Sequence, residues 1–252
     1  MPKKNSTPQQ LMELKPIGIL ESCFQEKFGT PRQPGLVPGA QSKLRILPQY
    51  APAHSLDGLS GFSHVWLLCW FHMSTSKTFL PKIHPPRLKG RKVGVFASRS
   101  PHRPNPIGLS LARLERVEGD TVYLSGADLI NGTPILDIKP YLPDYDAAAG
   151  ARAGWAEQNA FPELEVEFSP QGRADVERVE SAGYAGFGRL VADTLRHDPR
   201  NSRDKAQMKE GFDMGFFLAS HDVHFSVKGS VATVLRVESG AKFEKKFRRE
   251  KS

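Results

Sequence analysis

The sequence predicts a mainly β protein whose first unit is a barrel or a sandwich and whose second unit is a small α+β domain. Three observations carry this. From Lys15 to about Lys139, short apolar or β-branched runs are broken by Gly and Pro. No helical period is sustained between those runs, which favours strands packed on strands. Beyond an Ala- and Gly-rich stretch, helix and strand patterns then mix.

Taken in order, the strand candidates of the first unit are Ile17–Leu20, Leu44–Leu47, Val65–Phe71, Val93–Ala97, Leu109–Val117, Thr121–Leu124 and Ile135–Ile138. Gly119-Asp120 between two of them reads as a hairpin turn. Trp66 and Trp70 share one face of an apolar strand, the pattern of core residues. The stretch Asp144–Gln158 reads as a linker. Leu164–Phe168 alternates as a strand, and Ser169-Pro170 then supplies an N-cap and a first-turn proline for a helix to about Glu180. Gly188–Leu195 reads as a second helix, stopping before Asp198-Pro199. Strands are expected at Phe216–Ala219, His224–Val227 and Val231–Val237, the last two joined at Lys228-Gly229-Ser230. The expected division is a disordered leader over 1–14, a β unit over 15–148, an α+β unit over 149–241 and a basic tail over 242–252.

A chain of 252 residues allows one large or two modest domains, and 39% hydrophobic with 25% charged residues is ordinary for a globular protein. The excess is positive: 35 basic and 27 acidic side chains give +8. Residues 1–150 hold 18 basic and 11 acidic groups, while 151–252 hold 17 and 16. Between Gly58 and Leu114 there is no carboxylate, yet nine Lys and Arg lie there. Surfaces normally intersperse both signs, so this stretch reads as anion-facing, with nucleic acid the leading partner. Two cysteines make neither a disulfide framework nor a zinc site. No run is long enough to span a bilayer and no signal-peptide core is visible, so the expected compartment is cytoplasmic. P-loop, H-E-x-x-H and G-x-S-x-G motifs are absent. His221-Asp222-Val223-His224 is a weak metal signal, because on a strand His221 and His224 face opposite ways. No metal is expected.

Two segments carry most of the chemistry. In Pro85–Leu111, Pro101, Pro104 and Pro106 stiffen a connection that presents Arg99, His102, Arg103 and Asn105. A stiff loop loses little entropy when it holds a ligand. The same pattern also fits a rigid connection with incidental charge. In Asp128–Pro143, two carboxylates flank the turn Asn131-Gly132, which suits hydrogen bonding to a sugar or amine and equally suits a capped hairpin.

Lys27–Leu36 (KFGTPRQPGL), Gly61–His72 (GFSHVWLLCWFH), Pro85–Ser110 (with VFASRSPHRPNPIGLS) and Asp128–Pro143 (DLINGTPILDIKPYLP) together resemble the tRNA methyltransferase family that modifies threonylcarbamoyladenosine beside the anticodon. The resemblance covers roughly residues 15–145. Residues 150–252 resemble the family's bacterial-type C-terminal domain more loosely: Asp198-Pro199-Arg200 fits, whereas NSRDKAQ departs from the usual pattern. The resemblance implies a small antiparallel β-barrel of the TsaA-like type followed by an α+β domain. It also implies S-adenosylmethionine as cofactor, a homodimer, and the tRNA anticodon stem-loop as partner. By motif, the implied cofactor contacts are Pro31, Arg32, Gln33, His64, Val65, Arg99, Leu109, Asp128, Leu129, Ile130 and Asn131. Lys82, Arg87, Lys89, Arg91, Lys92 and Arg103 are the candidate RNA contacts.

Methyl transfer to N6 is an in-line displacement that depends on placing two groups in contact. A substituted N6 is poorly nucleophilic and keeps its proton, so an acceptor should help, with Asp128, Asp137 and His64 as candidates. The sulfonium charge vanishes in the step, so the arginines are expected on phosphate or carboxylate groups and neutral backbone around the sulfur. Two alternatives stay open: a non-enzymatic basic RNA-binding module, and transfer from the same cofactor to another acceptor.

Overall fold

The computed structural model describes residues 13–74, 79–88, 90–157, 163–200 and 210–240. The leader up to residue 12, Lys89 and the basic tail lie outside the described residues. Strands β1 (Gly18–Ser22), β2 (Gln41–Ile46), β3 (His64–Trp70), β6 (Ile107–Glu118), β7 (Thr121–Ser125) and β8 (Thr133–Pro140) close a barrel in the order β1-β2-β7-β6-β3-β8. Every pairing is antiparallel. Closure removes sheet edges, and period-two alternation does the rest. Leu20, Leu44, Val65, Leu67, Cys69, Val122 and Ile135 point inward and are almost wholly buried. The β6–β7 hairpin turns at Gly119, whose φ of +60° suits a residue without Cβ.

Between β3 and β6 the chain leaves the barrel. The sequence places a strand at Val93–Ala97, but only Val93–Gly94 (β5) pairs, with Lys82–Ile83 (β4), and Val95–Ala97 is a single 3-10 turn. Val95 anchors that turn in the interior, and Pro101, Pro104 and Pro106 leave no free N–H with which the following segment could continue a ladder. Two short helices, α1 (Pro52–Ser55) and α2 (Pro143–Asp146), also lie along the first unit. A second correction concerns Trp66 and Trp70. The alternation of β3 buries Val65, Leu67 and Cys69, so both tryptophans lie on the outer wall, Trp66 edge-on to Tyr141 and Trp70 36% exposed. A strand apolar on both faces does not declare which face is inner.

The second unit is a sheet of order β10 (Met214–Leu218), β11 (His221–Lys228), β12 (Val231–Ser239) and β9 (Glu165–Phe168), with β9 parallel to β12. Helix α3 (Pro170–Ser181) starts as its sequence indicates: Ser169 Oγ accepts from the Gly172 N–H at 2.9 Å behind Pro170. A Cβ at Gly172 would collide with the Val234 carbonyl, so the helix rests directly on β12. Asp175 fixes it there, accepting from the Val237 N–H at 2.9 Å and from Arg178 at 2.7 Å. Helix α4 (Phe187–Arg196) buries Phe187, Leu190, Val191 and Leu195 in the same core.

The loop between β1 and β2 joins the two units. Cys23, Phe24, Val37 and Ala40 pack into the core of the second sheet, although the first unit contributes them. Phe24 bridges to Leu218, the Ala219 N–H donates to the Cys23 carbonyl at 2.9 Å, and the Phe217 N–H donates to Glu26 at 2.9 Å.

Candidate active site

Three chain segments meet at the mouth of the barrel where β3 ends and β6 begins. The first is the β1–β2 loop with Pro31-Arg32-Gln33, held by the second domain: the Arg32 guanidinium donates to the carbonyls of Asp198 at 3.2 Å and Arg200 at 2.7 Å. Asp198 is itself buried and accepts from Arg200 at 2.8 and 2.9 Å. The second domain thereby fixes the loop. The next is the stretch 98–110. Ser98 Oγ donates back to the Val95 carbonyl at 2.7 Å, and Arg103 braces the bend by donating to the Ser98 carbonyl at 3.1 Å. The last is the loop 128–131 leading into β8. Asn131 holds it to β1, its N–H donating to the Phe24 carbonyl at 2.7 Å and its side chain accepting from the Ser22 N–H at 3.0 Å.

These segments enclose a cleft with two lobes. One, about 260 Å³, is lined by Lys27, Pro31, Phe71, His72, Met73 and Ile130 among others. The other, about 300 Å³, is lined by Arg32, Gln33, Arg99, Arg103, Leu109 and Ser110 among others. Phe71, Asp128 and Leu129 border both. Two joined compartments of this size suit two ligand groups brought face to face at Asp128.

Asp128 has its carboxyl pushed up from the usual Asp value, chiefly by burial; the Ser110 hydroxyl, its own backbone amide and the Arg99 charge partly oppose the shift. Ser110 Oγ donates to Asp128 Oδ1 at 2.6 Å. A carboxylate has about four acceptor positions, so capacity remains for a ligand N–H or O–H. Arg99 donates to Gln33 Oε1 at 2.8 Å, which joins the second segment to the first. His72 is held below its ordinary value by burial and then by the nearby Lys27 charge, so it is neutral at pH 7 and able to accept. The Cys69 thiol beneath the cleft is pushed up to about 12 by burial and the Asp128 charge, and is no nucleophile at neutral pH.

Of the residues expected at a cofactor site, Pro31, Arg32, Gln33, Arg99, Leu109, Asp128, Leu129 and Ile130 line the cleft. Asn131 supports its loop instead. His64 and Val65 do not reach it: they begin β3, whose far end opens on the cleft, about 20 Å away at 3.3 Å per residue. Val65 is wholly buried, and His64 lies outside against Ser63 and Tyr141. The residues sequence reasoning missed are Phe71, His72 and Met73, at the other end of the same motif. Of the proton-acceptor candidates only Asp128 lines the cleft, because Asp137 is on the outer wall, paired to Lys139 at 2.9 Å. Among the RNA candidates, Lys82, Arg91 and Lys92 are exposed. Arg103 braces the loop, and Arg87 donates to the Ala156 carbonyl and covers the Trp155 ring at 5.6 Å. The described residues contain no cluster fit for a metal ion. His224 instead joins an ion network with Asp213 and Arg236.

A closed antiparallel barrel whose rim loops, in place of a glycine-rich strand-to-helix turn, build a two-lobed cleft has the architecture of a β-barrel methyltransferase. The family models for the tRNA-methyltransferase O N-terminal domain and the TrmO C-terminal domain match residues 19–147 and 162–240. The chain belongs to the tRNA-methyltransferase O family. A tRNA (adenine(37)-N6)-methyltransferase of Escherichia coli is 36% identical over 231 residues, covering 90% of this chain and 97% of that protein. A putative S-adenosylmethionine-dependent methyltransferase of Pseudomonas aeruginosa is 44% identical, covering 84% and 91%. A rat tRNA (adenine(37)-N6)-methyltransferase is 57% identical over 135 residues, which span 53% of this chain and only 31% of that protein. A solved structure described as the crystal structure of TrmO from Pseudomonas aeruginosa superposes with a TM-score of 0.78 at 38% identity, covering 91% of this chain and 99% of that one.

Proposed function

We propose that the chain transfers the methyl group of S-adenosylmethionine to N6 of adenosine 37 in tRNA, and that the adenosine taken is the threonylcarbamoyl-substituted one. The observation that carries this reading is the meeting of the three segments around Asp128. The donor set fits the cofactor: a carboxylate for ribose hydroxyls or an amino group, an arginine for a carboxylate, and Phe71, Leu129 and Ile130 for the apolar parts of a nucleoside.

When bound, S-adenosylmethionine supplies a methyl group on a sulfonium that a nitrogen displaces in line. Arg99, oriented by Gln33, holds a ligand carboxylate. Asp128 sits where the two lobes join and accepts the N6 proton as nitrogen becomes bonded to carbon. Ser110 and Arg99 favour its ionised form, in opposition to burial. Phe71 and Leu129 exclude water from the junction. The second domain acts through Arg32, keeping the 31–33 loop against the cleft.

Lys82, Arg91 and Lys92 on the β4–β5 excursion grip the anticodon stem-loop, whose unpaired bases reach the cleft without opening a duplex. A second copy covers the outer wall of β3 and β6, where Trp70, Ile107 and Leu109 are exposed side by side next to the cleft. The chain works in the cytoplasm, where tRNA is processed; among the described residues no helix is long and apolar enough to cross a membrane. Incubation with labelled cofactor and tRNA either carrying or lacking the threonylcarbamoyl group tests the acceptor. Label is expected only in the first tRNA, and equal labelling of both would refute the substrate assignment.

A further inference from the structure

Phe96 is 74% exposed, yet it sits at the centre of a 3-10 turn whose backbone is held on both sides. Its predecessor Val95 is 1% exposed and its N–H donates to the Pro81 carbonyl at 3.0 Å. Its successor Ala97 accepts from the Trp155 indole N–H at 2.8 Å, and Ser98 closes back on Val95. The ring is therefore projected from a fixed backbone. Phe96 stands two residues before Ser98, which lines the arginine lobe, so the turn lies within about 7 Å of chain from the cleft. Its own stretch of chain, from Gly58 to Leu114, has no acidic residue, and exposed Lys82 on β4 and exposed Arg91 and Lys92 just before β5 lead into the turn.

We propose that Phe96 is a stacking platform for an unpaired RNA base next to the adenosine held in the cleft. This rests on the RNA methyl-transfer reading above and adds to it a residue and a contact type. An exposed aromatic ring alone is unremarkable on a protein surface. Carried with exposed cations on a chain segment that has no carboxylates, it meets the two demands of single-stranded nucleic acid, a face for a base and charge for the backbone. The charge also opposes docking a second copy here, because two such surfaces would repel. The held backbone favours the contact, since little backbone freedom is lost on stacking.

The test uses the full chain and an anticodon stem-loop RNA carrying a fluorescent adenine analogue beside position 37. Wild-type protein is expected to bind it and quench the fluorophore. Phe96→Leu, which keeps an apolar side chain without a π-face, should weaken binding about tenfold and lose the quenching, while Phe96→Trp restores both. The salt dependence of binding should keep its slope in Phe96→Leu, because no phosphate contact is removed. Cofactor affinity measured by calorimetry should not change. Wild-type affinity and quenching in Phe96→Leu would overturn the proposal while leaving the methyl-transfer reading intact. Weakened RNA binding together with a halved mass in light scattering would overturn it in favour of a contact between copies. Failure of the wild-type protein to bind the RNA at all would sink both readings.

Discussion

Removing the Ser110 hydroxyl should raise the pH at which methyl transfer switches on. Ser110 is buried on the inner face of β6 and donates to Asp128 Oδ1 at 2.6 Å. Burial raises the Asp128 carboxyl, and the Ser110 bond lowers it, which means the bond favours the ionised form. A hydrogen bond to a charged group is worth about 1.5–3 kcal/mol, so Ser110→Ala should move the carboxyl further up. The ionised carboxylate is the acceptor, so the acid limb of the rate profile should move to higher pH and the plateau should survive. The same shift has a stability counterpart. A carboxyl raised in the folded state contributes stability that is present below its unfolded value of about 3.9 and is lost as pH rises through the folded value. Ser110→Ala should therefore lose more stability than wild type between acid and neutral pH. Single-turnover methyl transfer followed across pH is the assay. A uniform drop in rate with an unmoved acid limb would refute the role given to Asp128.

Arg99→Ala should abolish methylation with the fold intact, since the guanidinium bonds to Gln33 at the cleft and lies outside the barrel core; a normal melting curve with normal activity would contradict the site. Reversing the charge of Lys82, Arg91 and Lys92 together should weaken tRNA binding and flatten its log–log salt dependence by about 0.7–0.9 for each phosphate no longer neutralised, and an unchanged slope would place the RNA elsewhere. Arg87→Ala should leave that slope alone but speed proteolytic cleavage within 148–157, because the guanidinium holds Trp155 and Ala156 rather than facing solvent. A flattened slope in Arg87→Ala would restore it to the RNA surface.

The strands of the barrel were legible where apolar and polar residues alternate, as in β1 and β2, and where Gly119-Asp120 marked the hairpin. The α3 start was legible from Ser169-Pro170, because capping is a local interaction. What the sequence could not show was register and facing. Val65–Phe71 is apolar on both faces, so nothing local told that Trp66 and Trp70 face out, or that Phe71 and His72, not His64 and Val65, end at the cleft. Arg32 and Arg87 read alike as basic residues in basic loops. Only tertiary structure shows that one clamps the second domain to the 31–33 loop and the other holds a connecting segment. The segments 98–110 and 128–131 were found because their chemistry is dense and local. Their meeting at Asp128 is a property of barrel closure.

On the proposed mechanism, one cleft organised by Asp128 joins the methyl donor to N6 of an adenosine in tRNA. Mass spectrometry of nucleosides from tRNA incubated with labelled S-adenosylmethionine and either wild-type protein or Asp128→Asn tests it most directly. An N6-methylated threonylcarbamoyladenosine is expected from the wild type, with a severe loss of that product from Asp128→Asn. Label on any other nucleoside, or undiminished product from the variant, would contradict it.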